Sequence, residues 1–209
     1  MDPVAFVFSA VVAAADHAGI PLYPELSERF AEYLALLLRW NAKLNLTALR
    51  KPEQIVQRHF AESIFAAGQI PQTTKTLLDF GSGAGLPGIP ISICRPEISV
   101  TLAESQQKKA AFLKEVVRAL RLKAEVVAGR VESMPDRLFD VVVLRAVDKM
   151  EAASRAAVTR LAPGGRIILF ATRTTEESLQ SGLPSLSWQR PVPIPGLEHG
   201  VLLTGILPR

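Results

Sequence analysis

The chain has 209 residues, enough for one or two domains whose cores need neither disulfides nor metals to hold them together. Hydrophobic residues make up 48% and charged residues 21%, which excludes disordered, collagen-like and coiled-coil proteins. The formal net charge of +4 is too small to establish a nucleic-acid partner, and one cysteine with three histidines predicts neither an internal disulfide nor a zinc site.

The N-terminal stretch 3–15 contains no charged residue. A helix that spans a membrane needs ~20 apolar residues, more than this stretch supplies. Asp2 also puts an acid where a secretory signal carries positive charge. We therefore predict a buried helix here, no membrane association, and a cytoplasmic protein.

The first third of the chain is predicted to be helical. Apolar residues recur at helical spacing over 25–44, after a start signal at Pro24, and Pro52 opens a further helix. A short polar hinge follows. We therefore expect a helical N-terminal region, residues 1–70, and a second domain, residues 71–209.

The pattern changes after the hinge, because short apolar runs now alternate with helical segments. This alternation is typical of βαβ units and a parallel sheet. The predicted strands are Thr76–Phe80, Ser99–Ala103, Glu125–Ala128, Asp140–Leu144 and Arg166–Phe170, and the helices between them lie near 88–94, 106–120 and 150–161. Two final β-like runs, Trp188–Val192 and Val201–Leu207, have no crossover helix between them and should pair antiparallel.

A glycine-rich loop connects the first predicted strand to the next helix. Its Asp79-x-Gly81-x-Gly83-x-Gly85 pattern is found in S-adenosylmethionine (SAM) enzymes, whereas Gly83-x-Gly85-x-x-Gly88 also satisfies a dinucleotide-binding pattern. Glycines at these positions permit positive φ and let backbone N–H groups approach a ligand closely. The loop therefore predicts a bound cofactor and leaves its identity open.

Polar residues follow the next three predicted strands. Glu104 ends the second strand and is placed to accept hydrogen bonds from ribose hydroxyls. Glu132 follows the third strand, where an acid can bind an adenine amino group, and Arg145 follows the fourth, where it can contact a cofactor carboxylate or a phosphate. The carboxyl ends of parallel strands share one edge of a sheet, so these residues predict a ligand site there.

Each of these residues also has a structural alternative. Glu104 can complement the dipole of the following helix, and Glu132 can be an ordinary surface acid. Arg145 can form a salt bridge with Asp148 or Asp79.

The choice of cofactor depends on the rest of the chain. A dehydrogenase needs a proton donor or acceptor beside the hydride, and only His59 is a candidate. An antiparallel strand at the end of a mostly parallel, seven-stranded, Rossmann-like sheet is the usual arrangement of class I SAM-dependent methyltransferases, by analogy of fold. This favours a methyltransferase over an NAD-dependent oxidoreductase. A non-catalytic SAM- or nucleotide-binding regulatory module stays open as an alternative.

Several segments between residues 34 and 172 match a known family. They are Arg39-Trp-Asn-Ala-Lys-Leu-Asn-Leu-Thr47, Arg58-His-Phe-Ala-Glu-Ser63, Asp79-Phe-Gly-Ser-Gly-Ala-Gly-Leu-Pro-Gly-Ile-Pro90, Leu102-Ala-Glu-Ser105, Gly129-Arg-Val-Glu132 and Arg145-Ala146. In them the chain resembles the RsmG (GidB) family of bacterial 16S rRNA guanine-N7 methyltransferases. The resemblance implies a class I methyltransferase fold, SAM as methyl donor, and 16S rRNA near the decoding site as acceptor.

The resemblance also implies cofactor contacts. Together with the pattern above, it leads us to predict seven cofactor-binding residues: Gly81, Gly83, Leu86, Glu104, Val131, Glu132 and Arg145. Three positions depart from the family's usual residues. Glu62 stands where the family has Asp, Leu144 where it has Ser, and Arg173 near a usual Lys.

RNA contacts are predicted at four basic residues. Arg39, Lys43 and Arg58 belong to a basic stretch that contains a single acid, and Arg173 lies beyond the fifth predicted strand. Such a stretch is either a solvated helical face or a surface that binds phosphates. We further expect a monomer, in which Trp40 and His59 serve either in the core or in RNA contact.

No general base is expected. Guanine N7 carries a lone pair and no proton, so the enzyme needs mainly to bring the two substrates together in the right orientation. The absence of an obvious acid–base pair in the sequence is consistent with this chemistry.

Overall fold

The computed structural model describes residues 3–21, 23 and 25–209. Asp2 and Pro24, on which the predictions for the N-terminal helices depend, lie outside the described residues. None of the helices in the described part of the chain combines the length and apolarity that crossing a bilayer requires.

The helices fall into two groups and lie where they were predicted, except that the helix predicted over 150–161 ends at Val158, and the strand predicted to begin at Arg166 begins at Leu161. The first group is α1 (Pro3–His17), α2 (Glu25–Leu44), α3 (Pro52–Gln54) and α4 (Ala61–Gln69), with a π-helical turn, Ile55–Phe60, joining the last two. The second group is α5 (Gly88–Cys94), α6 (Gln107–Ala119), α7 (Met150–Val158) and α8 (Glu176–Ser181), with a 3₁₀ turn at Val131–Ser133.

The described residues contain eight strands, which form one sheet. They are β1 (Thr76–Phe80), β2 (Ser99–Glu104), β3 (Ala124–Ala128), β4 (Phe139–Leu144), β5 (Leu161–Thr172), β6 (Ser187–Trp188), β7 (Val192–Pro193) and β8 (Gly200–Ile206). The order is β3-β2-β1-β4-β5-β8-β6, and β7 also pairs with β8. The first five strands are parallel, and the pairs that β8 makes are antiparallel, as predicted.

The strand predicted over Trp188–Val192 is interrupted. Trp188 pairs with Gly205 and Val192 with Leu202, so one strand advances four residues while its partner advances three. The extra residue makes a bulge, in a segment where Pro191 has no N–H to donate to the ladder. β6 and β7 therefore share one position beside β8, which accounts for the predicted count of seven.

The helical region packs against α5 and α6, through contacts of α4 with α5 and of α2 with both. From residue 6 onward, α1 buries Val7, Val11 and Ala15, which are spaced to form one stripe of the helix. They belong to the same hydrophobic cluster as the β1 residue Leu77 and the α6 residue Phe112. The N-terminal region and the sheet thus bury apolar surface in one common core. The division at residue 70 stays a prediction.

Arg95 fastens the two parts together with hydrogen bonds. Its buried guanidinium donates to the carbonyl oxygens of Ala67, at 3.1 Å, and Ile70, at 2.9 Å. These carbonyls lie at the end of α4, where a helix leaves acceptors without partners. The end of the helical region is therefore held against the residue that follows α5.

Candidate active site

The glycine loop lies between β1 and α5, at the carboxyl edge of the sheet. Gly83 has a φ of 55°, a conformation that glycine adopts without strain. Its N–H donates to Glu104 Oε2 at 2.9 Å, while Glu104 Oε1 accepts from the Gln106 N–H at 2.7 Å. Glu104 therefore connects the loop to the end of β2.

Asp79, in β1, supports the same loop where it runs into α5. Its Oδ2 accepts a hydrogen bond from the Gly88 N–H at 3.0 Å, and a Cβ at residue 88 would lie 2.5 Å from that oxygen. Only glycine fits this approach. Full burial raises the pKa of Asp79 to about 7. Asp79 is thus a buried support for the loop.

The helical region also supports the loop, through a contact that was not predicted from the sequence. The Tyr33 hydroxyl of α2 donates to the Ala84 carbonyl oxygen at 2.6 Å. The Tyr33 ring stacks on Phe60, with centroids 5.1 Å apart. Nothing in the local pattern distinguishes Tyr33 from the other apolar residues of α2, so only the three-dimensional arrangement reveals this contact.

A cavity of about 590 Å³, here the glycine-loop cavity, opens beside these residues. Its size is within the range of small-molecule sites. Five predicted cofactor residues line it: Gly81, Gly83, Leu86, Glu104 and Arg145. The remaining lining includes Leu46, Thr47, His59, Lys109 and Asp148.

Val131 and Glu132 are not among the residues that line the glycine-loop cavity. Val131 is buried in a hydrophobic cluster, and its carbonyl oxygen accepts a hydrogen bond from Arg160 at 2.8 Å. The Glu132 side chain is exposed. Their contact with a cofactor stays a prediction.

Arg145 lines this cavity and is held there by polar contacts with two residues of the helical region. Its Nη2 bonds to Glu62 Oε2 and lies 2.8 Å from His59 Nδ1. The salt-bridge partner of Arg145 is therefore Glu62, and not Asp148 or Asp79, the partners considered from the sequence. Glu62 is 83 residues away in the chain, so no local pattern could have indicated it.

His59 is neutral and fixed in one tautomer. A guanidinium only donates, so Nδ1 must accept from Arg145 and the ring proton must lie on Nε2. Nε2 is 2.7 Å from Thr47 Oγ1 and donates to it. Burial, then the charges of Arg145 and Arg58, lower the pKa of His59 to about 4.

Asn41 organises the segment that supplies Thr47. Its Oδ1 accepts from the Thr47 N–H at 2.9 Å, and its Nδ2 donates to the Leu49 carbonyl at 3.1 Å. The motif that ends at Thr47 therefore folds over the glycine-loop cavity as one of its walls.

A second cavity of about 900 Å³, here the β5 cavity, adjoins the first. Both are lined by Arg58, Arg145 and Ala146. Ala146 has a φ of 51°, which is uncommon for a residue with a side chain and typical of functional turns. Phe170 lines the β5 cavity, with its ring centroid 5.6 Å from the Arg145 guanidinium. Arg145 therefore stands at the boundary between the two cavities.

The predicted RNA-contact residues lie in different places. Arg58 lines both cavities. Arg39, Lys43 and Arg173 line neither, and their side chains are exposed. Arg39 also forms an ion pair with Glu115 of α6.

Trp40 has a structural role. Its ring packs on Phe112 with centroids 5.8 Å apart, and its Nε1 donates to Glu115 Oε2 at 3.0 Å. Of the two roles open to Trp40 from the sequence, core or RNA contact, these contacts match the first, since they attach α2 to α6.

Comparisons with known proteins agree with this architecture. The GidB family model, described as rRNA small subunit methyltransferase G, matches residues 26–190. A Ribosomal RNA small subunit methyltransferase G from Stenotrophomonas maltophilia (strain K279a) is 38% identical over 197 residues, 90% of this chain and 91% of that protein. One from Methylobacillus flagellatus is 44% identical over 134 residues, but the match spans only 63% of this chain and 64% of that protein. A solved methyltransferase structure from Pyrococcus furiosus shares the fold, with a TM-score of 0.63 at 15% identity, over 88% of this chain and 100% of that one.

Proposed function

This chain belongs to the rRNA small subunit methyltransferase G (GidB) family, and we propose that it transfers a methyl group from SAM to N7 of a guanine in 16S rRNA near the decoding site. One observation carries the proposal. Two adjoining cavities open at the carboxyl edge of a parallel sheet and share Arg58, Arg145 and Ala146. One cavity serves the methyl donor and the other serves the base.

The glycine-loop cavity suits SAM. Each oxygen of Glu104 accepts one backbone hydrogen bond and keeps a further lone pair for ribose hydroxyls. A Cβ at residue 83 would lie 3.8 Å from the Gly81 carbonyl oxygen, and glycine leaves that space to a ligand. SAM, when bound, supplies an electrophilic methyl group on a sulfonium.

The residues around the cavities orient the reactants and do not move protons. Guanine N7 has no proton to lose, so transfer needs only an in-line approach of nitrogen and methyl carbon. Positioning of this kind is worth ~7–11 kcal/mol in well-oriented reactions. His59 is neutral and accepts from Arg145, so it fixes the arginine between the two cavities.

We also propose which residues contact the RNA and that the protein is a monomer. Lys43 and Arg173 are exposed and suit contacts with RNA phosphates, and Arg58 suits contact with RNA at the cavities. Phe8 and Leu138 are the large hydrophobic side chains that the described residues expose, which is consistent with a monomer. Because the proposed substrate belongs to the small ribosomal subunit, we propose that the protein acts in the cytoplasm.

A methyl-transfer assay tests the function. Purified protein and radiolabelled SAM are incubated with small ribosomal subunits and, separately, with free 16S rRNA from a strain that lacks the modification. We expect label in the RNA and 7-methylguanosine after nucleoside digestion. A protein that binds SAM and labels no RNA would be the non-catalytic binding module considered above.

A further inference from the structure

Glu62 is a buried carboxylate with one unused oxygen. The side chain is 5% exposed, and Oε2 is bonded to Arg145. Within the described part of the chain Oε1 has no hydrogen-bond partner, and Arg58 Nε, at 3.7 Å, lies beyond hydrogen-bonding distance. A buried acceptor without a partner is costly and rare in folded proteins. Because Glu62 lines the β5 cavity, a donor from a ligand is the natural partner.

We propose that Glu62 is a specificity-determining residue that accepts hydrogen bonds from the N1–H and N2 amino groups of guanine in the β5 cavity. The proposal rests on the proposed function and identifies how the same site selects its base.

The chemistry of the bases supports guanine. An ionised carboxylate only accepts hydrogen bonds, and guanine presents two adjacent donors, N1–H and the N2 amino group, on its Watson–Crick edge. Adenine presents a bare N1 there, whose lone pair would face the carboxylate unfavourably. Glu62 therefore discriminates between the two purines, because guanine presents a donor at N1 and adenine presents an acceptor.

The same orientation leaves the reacting atom free. N7 belongs to the five-membered ring, on the side of guanine away from N1 and N2. A base whose Watson–Crick edge meets Glu62 directs its N7 away from the carboxylate. Ala146 and Arg145 line the passage from the β5 cavity to the glycine-loop cavity, where the methyl donor is proposed to lie.

Flat surfaces for the base lie beside Glu62. RNA-binding proteins hold unstacked bases against aromatic rings and guanidinium planes. Phe170 and Arg145 line the β5 cavity and lie against each other. Arg58 covers Oε1, but its side chain is 57% exposed and can turn toward an RNA phosphate. Binding of RNA thus uncovers the unused oxygen.

Replacing the target guanosine by inosine tests the proposal. Inosine lacks the N2 amino group and keeps the imidazole ring that contains N7. The modified position is found first, by mass spectrometry of fragments of the methylated RNA. 16S rRNA is then prepared by ligation with guanosine, inosine or adenosine at that position. Each RNA is assayed free and in reconstituted subunits, with wild type, Glu62→Gln, and Glu28→Gln as a control in an exposed acid of α2 that lines neither cavity.

Wild type and the control should prefer guanosine over inosine by roughly 10- to 100-fold in kcat/KM, as expected for a hydrogen bond to a charged group. In Glu62→Gln the preference should shrink to within about threefold, because an amide no longer offers a charged acceptor. SAM affinity, measured by calorimetry, should be unchanged in the control, and any loss in Glu62→Gln, whose amide oxygen can still accept from Arg145, is the same for all three RNAs and does not alter their ratio.

Two results would overturn the proposal. One is a wild-type enzyme that methylates inosine as fast as guanosine, a comparison that holds even if Glu62→Gln fails to fold. The other is a folded Glu62→Gln enzyme that keeps the full preference. Failure of the wild type to form 7-methylguanosine on any guanosine RNA would instead reject the proposed function.

Discussion

His59 Nδ1 and Arg145 Nη2 lie 2.8 Å apart, and the direction of this hydrogen bond determines what His59 can do. The arginine donates, so the lone pair of Nδ1 is in use, and the proton on Nε2 is donated to Thr47. A histidine whose two nitrogens are both engaged, and whose pKa falls to about 4, is already neutral at neutral pH. It therefore positions Arg145 and does not serve as a general base.

The pH dependence of the rate follows from this arrangement. With saturating substrates, single-turnover methyl transfer should be nearly flat between about pH 6.5 and 8.5, above the reference pKa of histidine. His59→Gln should keep most of the rate, because Gln offers an acceptor to Arg145, and should lose affinity or stability instead. A rise of one log unit per pH unit that disappears in His59→Gln, and persists in His17→Gln, would show that His59 is a base.

Glu104 is predicted to carry much of the SAM affinity. Glu104→Ala removes the acceptor of the ribose hydroxyls and of two backbone N–H groups, which should cost about 1.5–3 kcal/mol of binding. Glu104→Gln keeps one acceptor oxygen and should lose less. Calorimetry with SAM measures both, beside Glu177→Ala as a control. Unchanged affinity in Glu104→Ala would reject the ribose contact.

Local patterns were enough to predict much of the fold and part of the site. The periodicity of apolar residues predicts the strand before the glycine loop, the spacing of glycines predicts the loop, and the end of the next strand predicts the role of Glu104. All three are properties of neighbouring residues. The structure accordingly brings Gly83 and Glu104 into contact, 21 residues apart in sequence.

Contacts between distant segments could not be predicted in this way. The Arg145–Glu62 pair and the Tyr33–Ala84 hydrogen bond join residues 83 and 51 positions apart, and no pattern in one sequence relates such positions. The bulge between β6 and β7 also escaped prediction, because an apolar run shows where a strand is favoured and says little of its register.

Phosphate contacts can be tested separately from cofactor binding. Lys43 and Arg173 are exposed and line neither cavity, so replacing both by Ala should weaken RNA binding and leave SAM affinity unchanged. Each lost contact should reduce the slope of log affinity against log salt by about 0.7–0.9. Lys123→Ala is the control, because Lys123 lies at the amino end of β3, whereas the cavities lie at the carboxyl ends of the strands. A double variant that loses SAM and keeps its RNA affinity would show that the assignment is wrong.

Asp79 should make stability depend on pH in an unusual direction. Its pKa is about 7 in the folded protein and about 3.8 when unfolded, so between these values the folded state binds more protons. Its contribution to the unfolding free energy is therefore fully present below pH 3.8 and is lost as the pH rises through 7.

Asp79→Asn stays neutral and keeps an oxygen for the Gly88 N–H, so it should gain stability relative to wild type by up to roughly 1.4 kcal/mol per pH unit across this window. His59 acts with the opposite sign between about pH 4 and 6.5, but it is present in both proteins and cancels in the difference. Urea unfolding across pH 4–8, with exposed Asp16→Asn as a control, measures that difference, and a value independent of pH would mean that Asp79 is ionised throughout.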